Sequence, residues 1–168
     1  CGWYPSENTY LCHLYDETEF SQHANEVTLN NWKAYLGINQ SDYYYFKADE
    51  VIKAAQQKND ALMVSYVQHL KRYLDCCNDI QRDSWDYPTK EKLAKRNQEL
   101  RAIQAYALSK TKTKLRSQHA LLYMRCNMVL GLNRDNVTFW ENTASQFIET
   151  IYKDMMKNIY AGALYKTG

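Results

Sequence analysis

The sequence predicts an all-α fold, and two observations carry that expectation. Turn-forming residues are scarce: 5 Gly and 2 Pro in 168 residues, too few for the many tight turns of a β-sandwich or barrel. Apolar residues also recur at spacings of three and four over long stretches, which is the repeat of a helix with one buried face. A chain of this length buries a core without help from disulfides or metals. The expected architecture is six or seven helices in antiparallel hairpins.

Residues 1–27 show no sustained period and read as an irregular leader that packs Trp3, Tyr10, Leu14 and Phe20 onto the rest. Residues 28–168 read as the helical domain. Leu29, Trp32 and Leu36 mark a short helix stopped by Gly37. Ser41 or Asp42 caps a second helix carrying Tyr45, Phe46, Val51, Ile52 and Ala55, interrupted at Asn59-Asp60. From about 60 to 80 runs a regular stripe: Met63, Tyr66, Val67, Leu70, Tyr73, Leu74, Cys77.

The loop Arg82-Asp-Ser-Trp-Asp-Tyr-Pro88 follows. Pro88 and Thr89 open a basic helix to about 110, because proline is well placed where no backbone N–H is needed. Its inner face is Leu93, Leu100, Ile103 and Ala107. The helix from about 112 to 131 is apolar on two sides, with Leu115, Leu122, Cys126 and Val129 on one and Leu121, Met124 and Met128 on the other. Such a helix belongs inside an array rather than at its edge. Gly131 and Asn133 end it, and Asp135 caps a shorter helix with Val137, Trp140 and Ala144. Thr143-Ala-Ser-Gln146 has the pattern of a capping box and opens the last helix, which ends at Gly168.

The net charge of +2 is bland, but its distribution is not. Residues 1–60 hold nine acids and four bases, whereas residues 88–116 hold nine bases and two acids. The basic stretch lacks interleaved Gly or stacking aromatics, so solvated helix faces are favoured over a nucleic-acid surface. In the run Lys110-Thr-Lys-Thr-Lys114-Leu-Arg116, cations at a helix junction complement the C-terminal dipole of the preceding helix. No run of 18 apolar residues is present, so no membrane-spanning helix is expected. Cys1 at the start is what a processed lipoprotein shows, and so is a trimmed chain.

Two resemblances follow from these residues. The ending Asn158-Ile-Tyr-Ala-Gly-Ala-Leu-Tyr-Lys-Thr-Gly168 resembles the first helix of a tetratricopeptide-type (TPR) repeat, with small Ala161 where the second helix packs. Residues 115–144 can be read likewise, with Val137 at the small position, although no clean 34-residue period runs through the chain. The order Cys1-Gly-Trp-Tyr-Pro5, Trp32 to Leu36, Arg82 to Pro88, Leu115 to Cys126 and Tyr160-Ala-Gly-Ala-Leu164 is similar to that in large exported proteins of gut Bacteroidetes. The first resemblance implies a TPR-like α-solenoid. The second implies the N-terminal part of a longer secreted or periplasmic helical protein, continuing beyond residue 168, and brings no activity with it.

The most chemically suggestive pattern is a repeated His-x-x-x-Tyr-x-x-Cys: His69, Tyr73, Cys76, and His119, Tyr123, Cys126. His and Cys seven residues apart lie roughly 10 Å apart along a helix, too far for one ion. Core packing is the favoured reading, and no cofactor or metal is expected. Cys76 and Cys77 are adjacent on a helix and point apart, which leaves Cys1 with Cys12 as the candidate disulfide in an oxidising compartment, or Cys1 as a lipid attachment site. Asp75/Asp79 and Asp83/Asp86 read as solvated pairs. No phosphate-binding glycine loop, nucleophile elbow or zinc-protease motif occurs. The aromatic loop Trp85-Asp86-Tyr87 and the run Tyr43, Tyr44, Tyr45, Phe46 are the candidate contacts for a ligand or partner, since four consecutive aromatics on a helix cannot all face one core.

The expected function is a non-enzymatic protein-interaction or assembly scaffold outside the cytoplasm, using a groove of stacked helices to hold a protein or peptide. The alternatives are a glycan-binding component of an outer-membrane uptake system and the non-catalytic part of a larger enzyme. The glycan alternative requires two or more coplanar exposed aromatics beside carboxylates.

Overall fold

A computed structural model describes residues 48–82, 89–147 and 150–167. The predicted leader, the short helix at 29–36, Cys1, Cys12, Tyr43, Tyr44, Trp85 and Tyr87 all lie outside these residues. Six α-helices and one 3-10 turn make up the described residues, and no strand occurs among them; the fold is all-α. The chain divides into two compact units, residues 1–71 and 72–168.

In the first unit, α1 (Ala48–Gln57) buries Val51 and Ala55, the positions its spacing marks as inward. Asn59 then takes a left-handed conformation, φ 56°, which asparagine tolerates better than most residues. Asp60 follows as the cap of α2 (Ala61–Arg82): its Oδ1 accepts from the Met63 amide at 3.2 Å. The Asn59-Asp60 interruption is thus a turn followed by a capped start. On the part of α2 within this unit, Met63, Tyr66, Val67 and Leu70 are buried at the predicted spacings.

The second unit begins with the last part of α2, where Tyr73 is buried. It continues through α3 (Lys90–Ser109), α4 (Arg116–Leu130), α5 (Asn133–Asn142), the 3-10 turn Ala144–Gln146 and α6 (Thr150–Thr167). Thr89 caps α3 by accepting from the Lys92 amide at 3.1 Å, a contact worth about 1 kcal/mol. Leu100, Ile103 and Ala107 form its buried face, while Leu93 is half-buried. α4 packs against α3, α5 and α6, so it occupies the interior of this unit. Gly131 ends it at φ 77°, in the left-handed region, with its amide and that of Leu132 returning to the last turn.

Two predicted boundaries are corrected. Helix α5 starts at Asn133, so Asp135 sits within its first turn, near the positive end of the helix dipole, instead of capping it. Thr143-Ala-Ser-Gln146 forms no capping box. Thr143 closes α5 by donating its amide to the Phe139 carbonyl and makes no side-chain cap bond. The chain then makes the 3-10 turn, extends at Phe147, and α6 begins at Thr150. The box signature fails because each residue already serves the preceding helix: Gln146 Nε2 reaches back to the Asn142 carbonyl at 3.2 Å.

Candidate functional site

Helix α4 is the unusual element of the second unit. Every residue from Ser117 to Asn127 is buried, on all sides of the helix. Its spacing foretells the apolar members, yet Ser117, Gln118, His119, Arg125 and Asn127 are buried with them. Buried polar groups cost free energy unless they find partners, so their contacts define what the interior does.

His119 is fully buried. Its Nδ1 lies 2.8 Å from the Leu115 carbonyl, which can only accept, so Nδ1 donates there. Its Nε2 pairs with the Tyr106 hydroxyl of α3 at 3.3 Å, with the two rings tilted against each other at 5.4 Å. His69 of the first unit repeats the local half of this arrangement, with Nδ1 2.8 Å from the Ser65 carbonyl. The rest of the repeated pattern packs in the same spirit. Tyr123 meets the Phe139 ring at 4.7 Å, Cys126 is buried as a small apolar residue, and Cys76 Sγ lies 3.9 Å from Glu99 Oε2. Among the described residues, no three His, Cys, Asp or Glu side chains are grouped so as to hold a metal ion.

A second chain of polar contacts links three helices. Gln104 Nε2 of α3 donates to Asn127 Oδ1 of α4. Asn127 Nδ2 donates to Asn136 Oδ1 of α5 at 3.1 Å, and Asn136 Nδ2 donates to the Met124 carbonyl at 2.9 Å. Asn127 and Asn136 are both fully buried. The Arg125 guanidinium stacks over the Tyr73 ring at 4.8 Å, joining α4 to the end of α2. Arg72 and Glu99 approach to 3.4 Å at the surface, a pair worth less than about 1 kcal/mol. Ser117 Oγ is buried and makes no hydrogen bond among the described residues. The sequence pattern marks neither the amide chain nor Arg125, because polar residues at these positions carry no periodic signal.

The periphery is different. Ala163 is the last buried residue of α6, beyond which Leu164 is 40% and Tyr165 89% exposed. Ala161, Leu164 and Tyr165 stand at spacings of three and four, so they share one face, and Ala161 is exposed too. Leu108, at the end of α3, is the third exposed large apolar residue among the described residues. Nearby on the chain, Tyr160 stacks on Trp140 at 5.6 Å with the ring planes 25° apart, and its hydroxyl donates to Glu141 Oε2 at 3.0 Å. Trp140 is buried, so this pair is a packing contact; Trp85, Tyr43 and Tyr44, the candidate aromatics, lie outside the described residues.

The Glu141 hydrogen bond raises the Tyr160 phenol above its ordinary value, with smaller contributions from burial and from the carboxylate charge. The shift favours the protonated folded form. Its contribution to stability is therefore complete below the unfolded value, about 10, and is lost as pH rises through the higher folded value. The difference between ultraviolet titrations of the native chain and Tyr160→Phe isolates this group. Glu141→Gln is expected to move its midpoint down toward about 10, and an unmoved midpoint would contradict the assignment.

What fold and contacts define together is an all-α chain whose second unit is built around an enclosed helix. Comparison with protein-family models, curated proteins and solved structures finds no match to this chain.

Proposed function

We propose that the chain is a protein-interaction or assembly scaffold, with TPR-like stacking of its helices, that works outside the cytoplasm as part of a longer exported protein of the Bacteroidetes type. One contrast carries the reading. His119, Arg125 and Asn127 of α4 are engaged with neighbouring helices, while the end of α6 presents Ala161, Leu164 and Tyr165 on one exposed face. An exposed aromatic and a branched aliphatic beside a small residue suit an amphipathic helix docked by anchors at helical spacing. No described helix is long and apolar enough to cross a membrane.

The test is site-specific crosslinking in the producing cell. A photoreactive residue at position 165 is expected to yield one discrete protein adduct, which Leu164→Asp removes. The same probe at Gln98, an exposed position on α3, is expected to yield none. Identical adduct patterns from positions 165 and 98, or an adduct unaffected by Leu164→Asp, would contradict the reading. Fractionation of the same cells tests the location: recovery in the cytoplasm alone would contradict export.

A further inference from the structure

From Leu100 to Arg134 the chain contains seven Lys or Arg residues and no Asp or Glu. Four of the seven, Lys110, Lys112, Lys114 and Arg116, fall in or beside the turn that joins α3 to α4. The helix dipole accounts for only one of them. Lys110 is the C-cap of α3, where a cation is favourable, but Lys114 and Arg116 flank the start of α4, where a cation faces the positive end of the dipole. That start carries no acid in its first turn and no side-chain cap. The Thr113 hydroxyl accepts from the Leu115 amide at 3.3 Å, and no carboxylate of that turn offsets the cations there.

Two of the four cations are engaged by rings. Lys110 Nζ lies 5.8 Å from the centre of the Tyr106 ring, and the Arg116 guanidinium lies 4.9 Å from that of Phe147. Lys112 and Lys114 are exposed, and among the described residues neither has a carboxylate partner. Thr111 and Thr113 hold the turn between them by donating their hydroxyls to the Leu108 and Lys110 carbonyls at 2.9 and 2.7 Å. The turn is therefore shaped by its own bonds, with its ammonium groups left outward. Leu108, 46% exposed, adjoins it.

We infer that this corner binds an acidic polypeptide segment carrying an apolar side chain: Lys112 and Lys114 take its carboxylates and Leu108 takes the apolar group. The inference rests on the interaction-module reading and concerns a different surface from the α6 face. Single-stranded nucleic acid fits less well, because the adjacent Phe147 ring is buried and Tyr106 is flanked by Lys110 and His119, which leaves little ring surface for base stacking. An anionic membrane fits less well because one Leu is too little apolar surface to hold a chain at an interface.

The experiment measures fluorescence anisotropy of a labelled glutamate-rich peptide containing one leucine, titrated with the full chain. The peptide is expected to bind, and to weaken about tenfold as salt is raised from low ionic strength to several times the physiological level. Lys112→Ala with Lys114→Ala, both exposed and outside every helix, is expected to cost at least about fivefold in affinity. Lys112→Arg with Lys114→Arg is expected to retain binding, and Leu108→Ala to weaken it a few-fold. The inference is overturned if the matching glutamine peptide binds equally well, or if the alanine pair changes nothing. It is also overturned if single-stranded DNA of equal charge, or phosphatidylglycerol vesicles, bind more tightly than the peptide. Loss of peptide binding while the position-165 adduct persists would remove this inference alone, and loss of the adduct would remove the broader reading.

Discussion

Asn127→Ala is expected to destabilise the second unit by about 2–4 kcal/mol, as read from the midpoint of urea unfolding at unchanged slope. Asn127 is fully buried and bridges Gln104 of α3 to Asn136 of α5. Truncation removes both bonds and leaves the Asn136 carbonyl oxygen without its donor in a site closed to water. That orphaned acceptor costs more than the lost bond itself, because water cannot replace the partner. Gln104 is only half-buried, so its amide recovers a bond to solvent and contributes less. The pair should also be coupled. Once Asn127 is alanine, Asn136→Ala removes a group that is already badly placed, and the double variant is expected to lose less than the sum of the singles. Strict additivity would show that the two amides act independently. Asn158→Ala, on the exposed side of α6, is expected to stay within about 0.5 kcal/mol of the native chain.

Leu122→Ala is expected to cost about 2–5 kcal/mol, the range for a large-to-small change that leaves a cavity in a closed core. Leu122 is 1% exposed in the middle of the fully buried stretch of α4. Because α4 packs against three helices, the site has little freedom to collapse around the missing atoms. For a chain of this size the loss corresponds to a thermal midpoint lower by roughly 5–15 °C. Leu164→Ala is the comparison. Its side chain is 40% exposed, so the same truncation is expected to cost less than about 1 kcal/mol. Equal effects at the two leucines would deny α4 its interior position.

Much of the fold was legible because helices advertise their buried faces. The stripe from Met63 to Tyr73 and the set Leu100, Ile103, Ala107 are buried where their spacing puts them. The apolar residues on two sides of α4 correctly foretell an interior helix. What could not be read is which polar residues go in with them. Gln104 and Asn127 are 23 positions apart, and Asn127 and Asn136 nine. Such partners are chosen by how the helices pack, and nothing local to any of the three residues announces it.

The misread capping box has the same origin. Thr143 and Gln146 are competent to start a helix, yet in the folded chain they finish α5, and the chain is extended at buried Phe147 before α6 begins at Thr150. The repeated His, Tyr and Cys positions were legible as packing. The reason became visible only in three dimensions: each histidine ties back to the carbonyl four residues before it, and His119 also meets Tyr106. The isolation of Lys112 and Lys114 among the described residues was not legible, since a count of charges does not show which of them find partners.

Amide hydrogen exchange of the native chain, read by mass spectrometry across the described helices, tests the central claim most directly. If α4 is the enclosed element that supports peripheral contact surfaces, peptides spanning Ser117–Asn127 exchange slowest in the second unit, and those covering Ala161–Thr167 exchange orders of magnitude faster. Exchange in α4 as fast as at the end of α6 would contradict the account.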